Sequence, residues 1–277
     1  MIDLLRITKS TGAYMQLVLT DPSDGYLVTD ITGLEPGKAT MVSTTFANAP
    51  GAQYQTSRRE VRNIVFTVGL RPGRGNTVDS LRKNLYAYLM PQSQITLTFW
   101  TTGLEPVKID GVVESFEYTK FTKSPQATIS ILCYDPDFLA LSSTTATTTV
   151  GGSGITINYQ GTVNTGVITK VMLAGAAVSL SPTVSIQNTV AGEIQSFNFM
   201  HYANLPVTTG SYLQVNTNRF EKAVTLQSGT VVSSAIAYVQ PFSSWIQLLP
   251  GSNKLITTFA RSGTAVQYTY TNRYGGI

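Results

Sequence analysis

"FANAPGAQYQTSRREVRNIVFTVGL", residues 46–70, changes character twice along its length. It begins as a loop broken by Pro50 and Gly51, then passes through Arg58, Arg59, Glu60 and Arg62. It ends in a run where Ile64, Phe66, Val68 and Leu70 recur at every second position. That period puts the four side chains on one face of a pleated strand, so the segment reads as a strand with one covered face. A charged loop bearing Tyr54, set against the start of such a strand, fits three uses: a nucleic-acid contact, an active site, or a joint between protein subunits.

The same alternation recurs on both sides. Ile95, Leu97 and Phe99 share a face, as do Ala127, Ile129, Ile131 and Cys133. "QLVLTDPSDGYLVTDI" reads as a hairpin turning at Asp21 to Gly25, and "VKIDGVVESFEY" as another with Asp110 and Gly111 in a tight turn. "NTVDSLRKNLYAYLMP" carries an N-cap at Asn76 or Thr77, apolar residues Val78, Leu81, Leu85, Tyr88 and Leu89 at helical spacing, and Pro91 as terminator. The expectation for residues 1–141 is a sheet-rich domain, β-sandwich or split-barrel-like, with one helix. Residues 155–277 hold runs such as "GITINY", "SYLQVNT", "KAVTLQ", "SSWIQL" and "VQYTYT" with no helical pattern, which predicts an antiparallel β-sandwich. "LSSTTATTTVGGSG" between them is low in complexity, and residues 142–154 are expected to be a linker.

Composition supports a mainly β chain. Of 277 residues, 42% are hydrophobic but only 12% charged, about half the usual charged share. Thr, Ser, Gly and Val take the place of Lys and Glu, and β-branched side chains suit strands better than helices. Residues 1–142 hold 13 basic and 13 acidic side chains, whereas 143–277 hold 6 basic against Glu193 and Glu221 alone. The opening "MIDLLRITKS" lacks the pattern of a secretory signal, and no segment approaches the roughly 20 apolar residues of a membrane span. Synthesis and folding in cytoplasm are expected, with no membrane insertion.

Catalytic chemistry finds little to stand on. Cys133 is the sole cysteine and His201 the sole histidine, which excludes an intrachain disulfide and argues against a Cys/His zinc site. Cys133 ends an apolar face and reads as a buried, inert thiol. No nucleophile elbow accompanies His201, and "RPGRGNT" lacks the residue order of a phosphate-cradling loop. The acids are too few in the second half, and too scattered in the first, for paired-carboxylate work. Neither enzyme activity nor a metal or cofactor is expected. Arg58, Arg59, Arg62, Arg71, Arg74, Arg82 and Lys83 form a basic run that suits a nucleic-acid footprint, a solvated face or a subunit interface. The neutral first domain and the aptitude of arginine for interfaces favour the last, with Tyr54, Arg58, Arg59 and Arg62 as contact residues. A carbohydrate-binding module is the alternative, with Tyr202, Tyr212 and Trp245 as candidate platforms, although Ile246, Leu248 and Leu249 beside Trp245 suggest sandwich packing.

Taken in order, "ITGLEPGKA", "NAPGAQYQTSRREVRNIVFTVGL", "VDSLRKNLYAYLMP" and "VKIDGVVESFEYTKFTKSPQATISILCYDPDF" resemble the amino-terminal domain of the distal tail proteins of bacteriophages with long, non-contractile tails. "YQGTVNTG", "NTVAGEIQSF", "LQVNT", "SSWIQLLPGSNKL" and "NRYGGI" resemble the galectin-like or carbohydrate-module-like sandwich that follows in that family. The likeness spans nearly the whole chain. It implies a structural virion protein, made in the host cytoplasm, whose copies form a hexamer. Such a ring would join the tail tube protein to the tail-tip hub and to receptor-binding proteins, with phage DNA leaving through the lumen without specific binding. In the resemblance, the loop and strand of residues 46–70 supply part of the joint between neighbouring copies.

Overall fold

Apolar faces of period two need a second surface to cover them, and each half of the chain supplies its own. The computed structural model describes residues 2–21, 24–48, 50–73, 75–119, 122–150, 153–173, 185–199, 210–258 and 264–277. Arg74, His201 and Tyr202 lie outside this set, as does part of the Asp21–Gly25 turn. The chain forms two compact units, Met1–Leu141 with Tyr274–Ile277, and Ser142–Arg273.

In the first unit the strands are β1 (Ile2–Lys9), β2 (Tyr14–Val18), β3 (Tyr26–Thr32), β4 (Ala39–Thr45), β5 (Ala52–Arg59), β6 (Arg62–Leu70), β7 (Gln94–Thr101), β8 (Val107–Tyr118), β9 (Gln126–Cys133) and the start of β10 (Phe138–Thr149). The long β8 organises them. Its first half pairs with β7, which continues to β1 and β2; its second half pairs with β9, which continues to β6 and β3. Cross-strand neighbours then share a face: Leu5 opposes Leu17 and Phe99, and Ile131 opposes Ile64 and Val113. All six are buried in one core. The single α-helix among the described residues, α1 (Val78–Leu89), adds Leu81, Leu85 and Leu89 to that core. Thr77 caps it by accepting from the Ser80 amide at 3.1 Å, while Ser80 Oγ accepts from the Thr77 amide at 2.9 Å. Two of the amides that an α-helix leaves unpaired at its start are thereby satisfied.

In the second unit the strands are β11 (Ile155–Tyr159), β12 (Thr165–Gly166), β13 (Ile168–Leu173), β14 (Ser185–Val190), β15 (Glu193–Asn198), β16 (Ser211–Asn216), β17 (Ala223–Ser228), β18 (Val231–Ser234), β19 (Gln247–Leu248), β20 (Gly251–Thr258) and β21 (Ala265–Tyr274). One layer runs β18-β17-β16-β13-β21 and the other β11-β20-β14-β15. Leu213, Val215, Val224 and Tyr268 of the first layer meet Ile157, Ile186, Phe197 and Leu255 of the second in a common core. This is an antiparallel β-sandwich, built by inward-facing residues of period two on both sides.

Four features differ from the sequence expectation. "VKIDGVVESFEY" is one continuous strand, β8, rather than a hairpin. A Cβ on Gly111 would lie 2.6 Å from Ile131 Cγ2 and 3.2 Å from the Leu132 carbonyl oxygen, so the glycine serves close approach of β9 and not a turn. The two strands flanking Asp21–Gly25 do not pair: β2 joins β1, and β3 joins β6. Residues 142–149 are strand rather than linker, because β10 continues to Thr149, where Ser143 and Thr145 share hydrogen bonds with Thr271 and Thr269. The second unit does not run to 277, since Tyr274–Ile277 return to the first. There the Gly275 carbonyl accepts from Arg62, Tyr274 hydrogen-bonds Glu105, and the Ile277 amide donates to the Leu34 carbonyl at 3.0 Å.

Deleting Tyr274–Ile277 from the full chain is expected to destabilise the first unit by at least about 2 kcal/mol, the scale of a lost hydrogen bond to a charged group. Urea unfolding followed in the first unit checks this, and an unchanged midpoint would refute it.

Candidate subunit interface

The segment that opened as a loop is largely a ribbon. β4 and β5 pair with each other in a two-stranded sheet of their own, from Ala39 opposite Arg59 to Thr45 opposite Ala52, with a register shift at Val42/Ser43. Between the two strands, residues 46–48 and 50–51 are turn, bend or irregular backbone rather than strand. Along β5, Tyr54 Oη donates to Ser57 Oγ at 2.8 Å, and across the ribbon Gln55 Nε2 donates to Thr44 Oγ1 at 2.8 Å. Almost every residue of both strands is exposed. Met41 is 65% exposed, Tyr54 61% and Phe46 56%, and Val42 is exposed beside them. An isolated two-stranded hairpin is marginal in water, and these apolar groups contribute nothing to the core of their own unit.

The arginines at its base divide into three roles. Arg58 is exposed, opposite Thr40. Arg59, one third exposed, forms a bidentate pair with the buried carboxylate of Asp137, its Nη2 3.0 Å from Oδ2. Arg62 is not at the surface at all: it is 4% exposed. Its Nε donates to the Pro136 carbonyl at 2.7 Å, its Nη1 to those of Gly33 and Glu35 at 2.6 Å each, and its Nη2 to that of Gly275. The guanidinium also lies over the Phe138 ring, 4.7 Å from its centroid. Burial pulls its pKa below the usual value, an effect opposed by Cys133 and Asp137 nearby. Arg62 was expected to face a neighbouring copy, but it is committed within its own unit, and Arg59 is largely so.

The two described carbohydrate candidates, Trp245 and Tyr212, each make contacts within their own unit. Trp245 is half-buried, its ring 5.2 Å from that of the core residue Phe197 and with Lys222 Nζ 5.4 Å from its centroid. Tyr212 on β16 hydrogen-bonds Gln227 and has Lys170 Nζ 5.0 Å above its ring. Tyr202 lies outside the described residues. Cys133 is fully buried, and burial pushes its thiol up to about 12 from 9.0, which leaves it protonated and unreactive near neutrality. Among the described residues, no group of three His, Cys, Asp or Glu side chains could hold a metal, and no helix is long and apolar enough to cross a membrane.

The exposed apolar residues beside Tyr54 that sequence reasoning missed are Met41, Val42 and Phe46. Their only signal was apolar side chains within "ATMVSTTF", a Thr/Ser-rich stretch without alternation.

No family model matches the sequence. No curated protein matches it either. Among solved structures the chain is similar to the Dit protein (gp 19.1) of phage SPP1, described as a paradigm of the hub adsorption apparatus in phages infecting Gram-positive hosts. The alignment covers 97% of this chain and 98% of that one, with a TM-score of 0.69 at 16% identity. The chain thus shares a β-rich fold with that Dit protein. It also aligns with a chain of the phage P2 baseplate in its activated conformation with calcium, over 100% of both chains, at a TM-score of 0.48 and 11% identity.

Arg62→Ala is expected to destabilise the first unit by about 3 kcal/mol or more, because it strands several buried carbonyls at once. Arg58→Ala should change stability by less than about 0.5 kcal/mol. Chemical denaturation separates the two, and equal effects would contradict the assignment of roles. Cys133 adds a pH test. An acid whose folded pKa lies above its unfolded value stabilises the folded state fully below about pH 9, and that contribution is lost as pH rises towards 12. From pH 9 upward, wild type should lose stability relative to Cys133→Ala by up to about 1.4 kcal/mol per pH unit; parallel curves would show a solvated thiol.

Proposed function

We propose that this chain is a structural protein of a phage tail, a distal tail protein that works by assembly and not by catalysis. Its copies form a ring, six in this reading, between the tail tube and the tail-tip hub, with receptor-binding proteins carried beyond and DNA passing through the lumen without specific recognition. The fold shared with SPP1 Dit supports this reading. The observation that carries it is the β4–β5 ribbon, whose Met41, Phe46 and Tyr54 stand in solvent with no core to join. A patch that meets a different patch on the next copy closes into a ring when the rotation is right.

Magnitudes decide which residues drive the joint. Full burial of one Met or Phe side chain contributes about 1.5–3 kcal/mol, whereas an exposed ion pair contributes about 0–1 kcal/mol. The apolar residues of the ribbon therefore outrank Arg58, which sets register and partner choice. Each unit also holds its own core, and we assign the principal joint of the ring to the first unit and outward docking to the second.

Native mass spectrometry of the purified chain should give a closed oligomer, and Met41→Ser with Tyr54→Ser should shift it to monomer without lowering the melting temperature. Because the joint is apolar, rings should persist at 0.5 M NaCl, where exposed ion pairs are screened. A chain that stays monomeric at high micromolar concentration would sink the proposal, and rings that dissolve in salt while tolerating the double variant would move the joint to the arginines.

A further inference from the structure

Two phenylalanines in the second unit occupy backbone positions that disfavour them. Gln240-Pro241-Phe242-Ser243 is a turn closed by the Ser243 amide on the Gln240 carbonyl at 3.2 Å, with Phe242 at φ 67°. Proline second and a positive φ third is the pattern of a type II turn, whose third position calls for glycine. Phe220, at φ 68°, sits in the loop joining β16 to β17. Both conformations are costly for a residue with a Cβ, yet Phe242 is 104% exposed and Phe220 77% exposed. The Arg219 guanidinium lies 5.1 Å from the centroid of the Phe220 ring, but neither phenylalanine joins the core of the unit, and backbone strain at exposed aromatics points to a role beyond the fold.

Both loops are held firmly. The Gln240 amide donates to the Asn198 carbonyl at 2.9 Å, the Ser244 amide to that of Ser196 at 2.8 Å, and Ser243 Oγ accepts from the Asn198 amide at 3.1 Å. Thr217 Oγ1 donates to the Ile246 carbonyl at 2.6 Å, and Lys222 lies over Trp245, which ties one loop to the other. Rigid apolar knobs gain affinity by presenting a fixed shape to a preformed pocket, an advantage that a fluid lipid surface does not reward. The second unit is basic, and Phe220 lies between Arg219 and Glu221 with Lys222 next, so its loop carries two cations against one acid.

The same chain carries a complementary seat. In the first unit a cleft of about 400 Å³ is lined by Ile95, Gly111, Val112 and Tyr134 and by the acids Asp110 and Asp135, Asp110 accepting from Thr96 Oγ1 at 2.5 Å. We propose that the Phe220 loop of one copy seats in this cleft on a neighbouring copy. Its ring lies against Val112 and Tyr134, Lys222 faces Asp110, and Phe242 flanks the seat. One knob and one different cleft per copy is a heterologous contact, the kind that closes rings. This inference rests on the ring proposed above and adds a second joint to it.

The test uses the full chain. Phe220→Gly relieves the backbone strain, so its melting temperature should hold or rise while the concentration needed for half-assembly increases at least tenfold. Lys222→Glu and Asp110→Lys should each weaken assembly and, combined, restore it. Phe220→Cys with Tyr134→Cys should form a disulfide between copies, with the buried Cys133 not competing. A Phe220→Gly protein that melts lower would show that the ring serves its own fold, and one that assembles at wild-type concentration would show that the knob is idle. Either result overturns the contact while leaving the ribbon-built ring standing. A wild type that never assembles overturns both. Binding to vesicles of anionic lipid that Phe220→Gly abolishes, with assembly unchanged, would reassign the knob to a membrane and overturn the contact.

Discussion

The first unit is built around one buried cation. A guanidinium withdrawn from water loses a large solvation energy, and at Arg62 that loss is offset by four carbonyl oxygens, those of Gly33, Glu35, Pro136 and Gly275, with the Phe138 ring against its face. Three segments far apart in sequence thereby meet at one planar group. Lysine could not replace it, because a compact ammonium with three donors does not match a fork that spreads five donors in a plane. Gly33 shows how strict the arrangement is: at φ 85°, a Cβ there would stand 2.0 Å from the Asn63 carbonyl oxygen. Only glycine delivers that carbonyl to Arg62.

The exposed ribbon depends on this anchor. β5 ends at Arg59 and β6 begins at Arg62, so the Arg59–Asp137 pair and the Arg62 cluster fix both ends of the short connection from which the ribbon leaves the core. A hairpin with little burial of its own is thereby aimed by buried chemistry at its foot. Stability and exposure are separated: the base carries the energy, and the ribbon beyond it holds Met41, Phe46 and Tyr54 in solvent.

What the sequence revealed, and what it hid, follows from burial. Ile64, Phe66, Val68 and Leu70 announce β6 because one face is covered; the capped helix ending before Pro91 and the alternation in the second half are legible for the same reason. β4 and β5 left no such trace, since a ribbon with both faces in water has no cause to alternate. Asp110-Gly111 looked like a turn because turn chemistry and close strand packing call for the same small residue. Arg62 was misread because its neighbours Arg58 and Arg59 made a basic run, and nothing local distinguishes an arginine bound to distant carbonyls from one in solvent. The partners that decide its role, Gly33, Pro136 and Gly275, are visible only once the chain has folded.

The departure of the chain from the first unit after Leu141, and its return at Tyr274, set a clock. Ribosomes add about 5–20 residues per second, so on the order of ten seconds pass between the synthesis of Leu141 and that of Gly275. Throughout that interval Arg62 lacks one of its four carbonyls, and the foot of the ribbon is held incompletely. Copies that stall or terminate within the second unit never complete the anchor. The fold thus couples the surface proposed for assembly to completion of the second unit, so that unfinished chains are poorly shaped to join their neighbours.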